Sequence, residues 1–213
     1  IEYFIQKKPN GLPEAFKICK DFINNKPCSL ILGDNIFFGS NFHNIIHEDI
    51  KTHKSGARIY LYKVSNPTMY GICKIKNNSI KQIIEKPKYS KSNFAITGLY
   101  LFDEEAVEKA TKCKISIRGE TEIVDMLKIY LKEKSIKYFK IGRGISWFDS
   151  GSFNDLLACQ ELIKAIEERQ QVLIGSPHEA AYRNGNISRK NIIKFCKNNF
   201  SSSYFKNLKN ILY

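Results

Sequence analysis

Two carboxylates that each follow an apolar stretch are the residues of this chain best suited to bind a divalent cation. Asp34 lies in the segment LILGDN and Asp149 lies in the segment WFDSG. In open α/β sheets ligands bind beyond the carboxyl ends of strands, which is where Asp34 is expected. Mg²⁺ takes one or two protein carboxylates and completes its shell with water and phosphate oxygens. The two acids could therefore share one ion. For Asp34 an Asx turn or a helix N-cap is the other interpretation, whereas a helix cap accounts for Ser152 but not for Asp149.

Glu85 and Lys86 place opposite charges at adjacent positions of the segment IIEKP. Adjacent side chains on a strand point to opposite faces, so we predict that the two do not pair with each other. A glutamate can hold a sugar hydroxyl and a lysine can hold a phosphate. A solvated edge strand that ends at Pro87 is an equally open interpretation. Gln6 and Gly11 are weaker candidates, because glutamine can pair with a base edge and glycine allows close backbone approach.

The elements that must position these residues alternate between strand and helix patterns over the first two thirds of the chain, as in α/β folds. The predicted strands are Ile1–Ile5, Cys28–Leu32, Ala57–Val64, Tyr70–Ile75, Ser79–Lys86, Ala95–Phe102 and Ile136–Ile141. The predicted helices are 12–24, 42–54, Glu104–Lys112, Glu122–Glu133, Asn154–Gln170, 177–184 and 188–198. The run CSLIL is typical of a central strand covered on both faces, Gln6 would close the first strand, and Asn77-Asn78 would form a hairpin turn. The resulting plan is a mixed α/β core over residues 1–151, with a helical region over 152–213 packed on it.

Composition narrows the possible functions. The 34 basic and 21 acidic residues give a net charge of +13, which attracts polyanions. The lysines are scattered rather than gathered in one stripe, so compositional bias explains the excess at least as well as nucleic-acid binding does. The six cysteines form no CxxC pair, which favours free thiols in a reducing cytosol. No apolar run approaches the length that spans a bilayer.

Taken in order, the segments of this chain resemble the sugar-1-phosphate nucleotidyltransferases. The resemblance runs through QKKPNGLPEAF (6–16), LILGDNIFFG (30–39), YGI (70–72), IIEKP (83–87), KSNFAITGLYLFD (91–103), RGETEIVD (118–125), GRGISWFDSG (142–151) and IEERQ (166–170). The GDNIF variant, the KSNFAITGLY stretch and the helical tail favour the thymidylyltransferase branch. The resemblance implies a Rossmann-like mixed β-sheet core with a C-terminal helical appendage. It also implies a cytoplasmic homotetramer in which glucose 1-phosphate attacks the α-phosphorus of dTTP with the help of Mg²⁺.

The resemblance also implies roles for individual residues. Asp34 and Asp149 match the Mg²⁺-binding carboxylates, and with Lys86 they are the expected catalytic residues; Gln6 and Gly11 match the residues that read thymine. The expected sugar-phosphate pocket consists of Leu12, Asn35, Tyr70, Gly71, Glu85, Lys86, Ile96 and Tyr100. An expected regulatory nucleotide site consists of Gly39, His43, Gly142, Glu179 and Arg183.

The chain departs from the family in one large respect. No stretch matches the glycine-rich G-x-G-T-R-L loop that cradles the triphosphate, or the lysine that follows it. We therefore expect that an N-terminal portion is missing and that the 213 residues alone are nearly inactive. Three other readings stay open: transfer of a uridylyl or adenylyl group, a non-catalytic remnant that binds sugar phosphate, and a basic nucleic-acid-binding protein.

Overall fold

The computed structural model describes residues 1–199 and 201–211, and the chain forms two compact units, Ile1–Trp147 and Phe148–Tyr213. The strands are β1 (Cys28–Ile31), β2 (Asn35–Gly39), β3 (Ala57–Lys63), β4 (Ile72–Lys76), β5 (Ser79–Ile84), β6 (Phe94–Phe102), β7 (Ile136–Lys140) and β8 (Ile145–Asp149). The helices are α1 (Pro13–Ile18), α2 (Lys20–Ile23), α3 (Phe42–Thr52), α4 (Ala106–Thr111), α5 (Ile123–Lys132), α6 (Phe153–Gln170), α7 (Pro177–Arg183), α8 (Arg189–Asn198) and α9 (Ser203–Ile211). This is the mixed α/β fold that the sequence predicts.

The main sheet is built around β6, which has neighbours along both of its edges. β3 pairs with one edge, β1 and the start of β4 pair with the other, and all three are antiparallel to β6. β7 then pairs with β3 in parallel, and β5 pairs with β4, which gives the order β5-β4-β6-β3-β7. β6 is buried along nearly its whole length, and a strand covered on both faces is expected to be almost continuously apolar, as FAITGLYLF is.

Helices cover both faces of this sheet. On one face α1, α4 and α5 contribute to the main core, where Phe102 meets Phe16 edge to face with ring centroids 5.2 Å apart. On the other face Phe42 of α3 packs against Tyr60 and Leu101. β2 and β8 form a separate two-stranded sheet, and the boundary between the two units falls within β8.

Two of the predicted strands differ in the structure. No strand forms over Ile1–Ile5, where Ile1 and Ile5 are 109% and 82% exposed, because no described strand supplies hydrogen bonds to it. Gln6 therefore closes no strand. Cys28–Leu32 is not a central strand covered on both faces: among the described strands β1 pairs only with β6, and Ile31 is 60% exposed.

One predicted turn forms as expected, and one predicted helix is divided in two. The Asn77-Asn78 turn between β4 and β5 is confirmed, with φ values of 50° and 53° at the two asparagines. Such left-handed residues suit the two-residue turns whose twist matches that of the flanking strands. The predicted helix 12–24 is two helices, α1 and α2, separated at Cys19, which has φ −92° and ψ 13°.

The second unit is helical beyond the end of β8. α6, α7 and α8 each begin after a serine whose hydroxyl accepts a hydrogen bond from a backbone N–H three residues later, namely Ser152, Ser176 and Ser188. Ile192, Cys196 and Leu208 form the core of α8 and α9. None of the described helices is long and apolar enough to cross a membrane. The packing of residues 152–213 on the α/β core stays a prediction.

Candidate functional site

Asn35 links three parts of the first unit through its side-chain amide. Its Oδ1 accepts hydrogen bonds from the backbone N–H of Gly98, at 2.8 Å, and from Nε1 of Trp147, at 2.6 Å. Its Nδ2 donates to Oδ1 of Asp34, at 2.8 Å. Because both halves of the buried amide are used, the Asn35 side chain has one favourable orientation, and it holds the exposed carboxylate that follows β1.

Gly98 makes room for this amide in the middle of β6. A Cβ at position 98 would lie 2.6 Å from both Cγ and Oδ1 of Asn35, which is closer than side-chain carbons approach one another. A glycine inside a strand often marks such a close approach, and this was the signal available for Gly98. Trp147 carried no comparable signal, because its hydrogen-bond partner lies 112 residues earlier in the sequence.

Trp147 extends the site towards the segment before β4. Its ring meets that of Tyr70 at a centroid distance of 5.3 Å. The carbonyl of Tyr70 accepts a hydrogen bond from the N–H of Lys86, at 3.1 Å, and the carbonyl of Gly71 accepts one from the N–H of Ile96, at 2.8 Å. The structure therefore brings together Tyr70, Gly71, Lys86 and Ile96, all predicted pocket residues, through direct contacts.

The carboxylate of Glu85 lies beside Gly71 and faces two further charged residues. A Cβ at Gly71 would lie 3.2 Å from Oε2 of Glu85, and Oε1 of Glu85 is 3.3 Å from Nη1 of Arg118. The same Nη1 is 3.6 Å from Oε1 of Glu122. Burial, followed by the charge of Glu122, raises the pKa of Glu85 above its usual 4.5, although Lys86 and Arg118 oppose the shift. Carboxylates perturbed in this way are frequent at functional sites.

The expectation that Glu85 and Lys86 occupy opposite faces of a strand is wrong. β5 ends at Ile84, whose partner Ile72 is the first residue of β4, so no strand remains for Glu85 to pair with. Lys86 has φ 36°, in the left-handed region, and its side chain is exposed. The two residues lie in a bend that follows β5, where Glu85 contacts Arg118.

The candidate base-reading residues lie where the loop before α1 packs on Thr121. The carbonyl of Asn10 accepts hydrogen bonds from the N–H and Oγ1 of Thr121, at 2.8 and 2.7 Å. Gly11 has φ 99°, and a Cβ there would overlap the carbonyl of Thr121. Nε2 of Gln6 donates to the carbonyl of Gly11, at 3.2 Å, and to Oε2 of Glu14, at 2.6 Å.

The segment 118–122 therefore contacts both Glu85 and the loop that contains Gly11. Arg118 and Glu122 surround Glu85, and Thr121 holds the loop that contains Gly11. None of these three residues was predicted as a site residue, although the segment RGETEIVD that contains them is part of the family resemblance. Leu12 and Tyr100 occupy the main core, where Tyr100 is 4% exposed and Leu12 packs against the cluster.

The remaining predicted residues are not gathered by the described contacts. Asp149 ends β8 in the second unit, whereas Asp34 belongs to the first, so the shared Mg²⁺ stays a prediction. Within residues 1–199 and 201–211, no group of three or more His, Cys, Asp or Glu side chains is arranged to hold a metal.

The expected regulatory residues are likewise divided between the units. Gly39 packs against Gly144, and His43 and Gly142 are exposed in the first unit. Glu179 and Arg183 form an ion pair on α7 at 2.7 Å in the second unit. The regulatory site stays a prediction.

Comparison with known proteins agrees on one family. The family model described as nucleotidyl transferase matches residues 1–166. A glucose-1-phosphate thymidylyltransferase of Neisseria meningitidis serogroup A is 36% identical over 214 residues, which cover 100% of this chain and 74% of that protein.

Solved structures show the same fold. A Bacillus anthracis protein assigned as a glucose-1-phosphate thymidylyltransferase, in complex with sucrose, superposes with a TM-score of 0.67 at 35% identity and covers 76% of this chain and 64% of its own. A UDP-glucose pyrophosphorylase bound to UDP-glucose gives a TM-score of 0.65 at 21% identity and covers 75% of this chain and 64% of its own, a likeness of fold alone. This chain thus spans less than two thirds of these solved proteins.

Proposed function

The chain belongs to the nucleotidyl transferase family, and from this premise we propose that it carries the sugar-binding and base-binding core of a glucose-1-phosphate thymidylyltransferase. In this reaction a phosphate oxygen of glucose 1-phosphate attacks the α-phosphorus of dTTP. The bond from that phosphorus to the β-phosphate oxygen breaks, so that dTDP-glucose forms and pyrophosphate leaves. Phosphoryl transfer needs little covalent help, and positioning with charge neutralisation supplies most of the rate.

The observation that carries the proposal is the contact of Glu85 with Gly71 beside Arg118. A carboxylate accepts hydrogen bonds from sugar hydroxyls, and Gly71, which has no side chain, lets the Glu85 carboxylate lie close to the backbone. Lys86 and Arg118 are the neighbouring cations, and guanidinium and ammonium groups both bind phosphate. A half-buried acid beside a glycine and two cations therefore matches the two ends of a sugar 1-phosphate.

Gln6 can offer a hydrogen-bond acceptor to a base. Its amide nitrogen already donates to Gly11 and Glu14, so the amide oxygen is the group that can accept from a base. The imide N–H of thymine or uracil and the amino group of adenine are both suitable donors, so this contact alone does not select the base. The relatives, which are thymidylyltransferases, favour thymidylyl transfer.

Mg²⁺ is the proposed metal, held by Asp34 and Asp149. Carboxylate oxygens are the hard donors that this ion prefers, and Asp34 is exposed after β1, oriented by Asn35. When bound, the ion would neutralise charge on the phosphates of the nucleotide. Asn35 orients the Asp34 carboxylate by donating a hydrogen bond to its Oδ1.

The wider setting is proposed from the family resemblance. We propose a homotetramer that works in the cytoplasm and does not bind nucleic acid. The six free cysteines support a reducing compartment. Burial raises the pKa of the Cys73 thiol to about 12, which makes that thiol unreactive at neutral pH.

The test is equilibrium binding of glucose 1-phosphate to the purified chain. We expect Glu85→Ala to abolish detectable binding and Glu104→Ala, at an exposed acid, to leave the Kd unchanged. Equal binding by wild type and Glu85→Ala would contradict the assignment of the sugar pocket. A panel of dTTP, UTP and ATP then decides the base, and loss of discrimination in Gln6→Ala would support its role.

Turnover is measured separately as pyrophosphate release with dTTP, glucose 1-phosphate and Mg²⁺. The 213-residue chain is compared with the longest open reading frame that contains it. Because no stretch of the chain matches the phosphate-cradling loop, we expect little turnover from the 213 residues alone. If both the 213-residue chain and the longer reading frame bind sugar phosphate without turnover, the hypothesis of a non-catalytic remnant that binds sugar phosphate is favoured.

A further inference from the structure

A groove at the C-terminal end of α5 is lined by basic residues from four segments of the first unit. Its volume is about 790 Å³, and its cationic residues are Arg58 of β3, Lys81 of β5, Lys134 after α5 and Lys137 of β7. No aspartate or glutamate lines it. We call this surface the basic groove; it shares no residue with the candidate site.

Three of these four charges lack a carboxylate partner. The guanidinium of Arg58 forms an ion pair with Asp49 and is thereby neutralised. By contrast, no carboxylate of residues 1–199 and 201–211 lies within 4.0 Å of Lys81, Lys134 or Lys137. A bound anion would supply the opposite charge that the described carboxylates do not supply to these three lysines.

The three lysines come together through the tertiary structure. They are separated by as much as 56 residues in the sequence, from Lys81 to Lys137. β4 pairs with β6 only at Ile72 and Cys73, and the hairpin it forms with β5 packs against α5, which brings Lys81 to the groove. A basic cluster built from separate elements is not explained by a run of lysines in the sequence.

The rest of the lining indicates a compact ligand. Asn78, Ser79 and Tyr138 add uncharged hydrogen-bond donors, while Ile80 and Leu131 give the groove an apolar portion. Small-molecule sites occupy roughly 300–1,000 Å³ and combine an apolar lining with a few polar groups. We propose that the basic groove binds a small molecule that carries two or more phosphates.

Inorganic tripolyphosphate is the probe, titrated into the full chain and followed by backbone amide chemical shifts and calorimetry. The test variant is Lys81→Gln with Lys137→Gln. The matched control is Lys63→Gln with Lys74→Gln, at exposed strand positions outside the groove. Each pair removes two positive charges, so both variants carry +13 − 2 = +11. Thermal unfolding confirms that both are folded.

We expect shifts at groove residues in the wild type, a Kd about tenfold weaker or more in the groove variant, and a Kd within about twofold in the control. Equal weakening in both variants would mean attraction to net charge alone and would overturn the proposal, as would an absence of binding to the wild type. Failure of tripolyphosphate together with tight binding of a ten-nucleotide single strand would replace it with a nucleic-acid groove. Binding of glucose 1-phosphate should be unchanged in the groove variant, so the two proposals fail independently.

Discussion

Replacing Asn35 with alanine should destabilise the first unit strongly, because the amide satisfies two donors that the fold buries. The backbone N–H of Gly98 and the indole N–H of Trp147 both donate to its Oδ1. A buried donor left without a partner costs about 1–3 kcal/mol, so the two together cost about 2–6 kcal/mol. Against a typical total of about 5–15 kcal/mol for a whole protein, this is a large fraction of the free energy of unfolding.

Urea unfolding of wild type and Asn35→Ala, followed by tryptophan fluorescence of Trp147, measures this loss directly. Asn44→Ala is the matched control: its amide donates to Asn41 on the exposed surface of α3, and its removal should cost less than about 0.5 kcal/mol. Asn35→Asp keeps an acceptor for both donors but replaces the group that donates to Asp34 with a second carboxylate. It should therefore retain more stability than Asn35→Ala while losing Mg²⁺-dependent nucleotide binding.

A loss of less than about 1 kcal/mol in Asn35→Ala would contradict this role of Asn35, since that is below the cost of even one unsatisfied donor. Equal losses in Asn35→Ala and Asn44→Ala would contradict it as well. Either result would mean that Gly98 and Trp147 find other partners and that Asn35 does not organise the site.

Three further predictions concern Glu85, Gly11 and Asp149. The raised pKa of Glu85 means that its ionised form is disfavoured in the folded chain, so the contribution of Glu85 to stability is fully present below pH 4.5 and is lost as the pH rises through the folded-state pKa. In thermal melts Glu85→Gln should therefore be more stable than wild type at pH 7 but not below pH 4.5. The control Glu104→Gln should show no such difference. Gly11→Ala should lose more stability than Gly119→Ala, because both positions have positive φ but only a Cβ at position 11 would clash with the backbone of Thr121. The backbone strain common to both variants costs about 1–3 kcal/mol. Equal losses in urea unfolding would exclude the clash. Asp149→Asn should weaken Mg²⁺-dependent dTTP binding by about tenfold or more and leave glucose 1-phosphate binding unaltered; unchanged dependence on Mg²⁺ would remove it from the metal site.

Most of the elements and the α/β class follow from the amino-acid sequence, because they depend on local patterns. Amphipathic spacing predicts α5 closely, and the apolar stretch FAITGLYLF predicts β6. The hairpin turn at Asn77-Asn78 follows from residues that tolerate positive φ. The likeness to nucleotidyltransferases also lies in short ordered segments that can be read without coordinates.

The pairing of these elements and the contacts of the site residues depend on the tertiary structure. β2 and β8 were not predicted, since each is five residues long and its partner strand lies about a hundred residues away. A short strand is stabilised by hydrogen bonds to a partner strand, and the segment Ile1–Ile5 forms no strand because no described strand pairs with it. The contact of Glu85 with Arg118 joins residues 33 positions apart and also depends on tertiary packing. Local sequence patterns do not specify contacts between distant residues that the packing of a sheet creates.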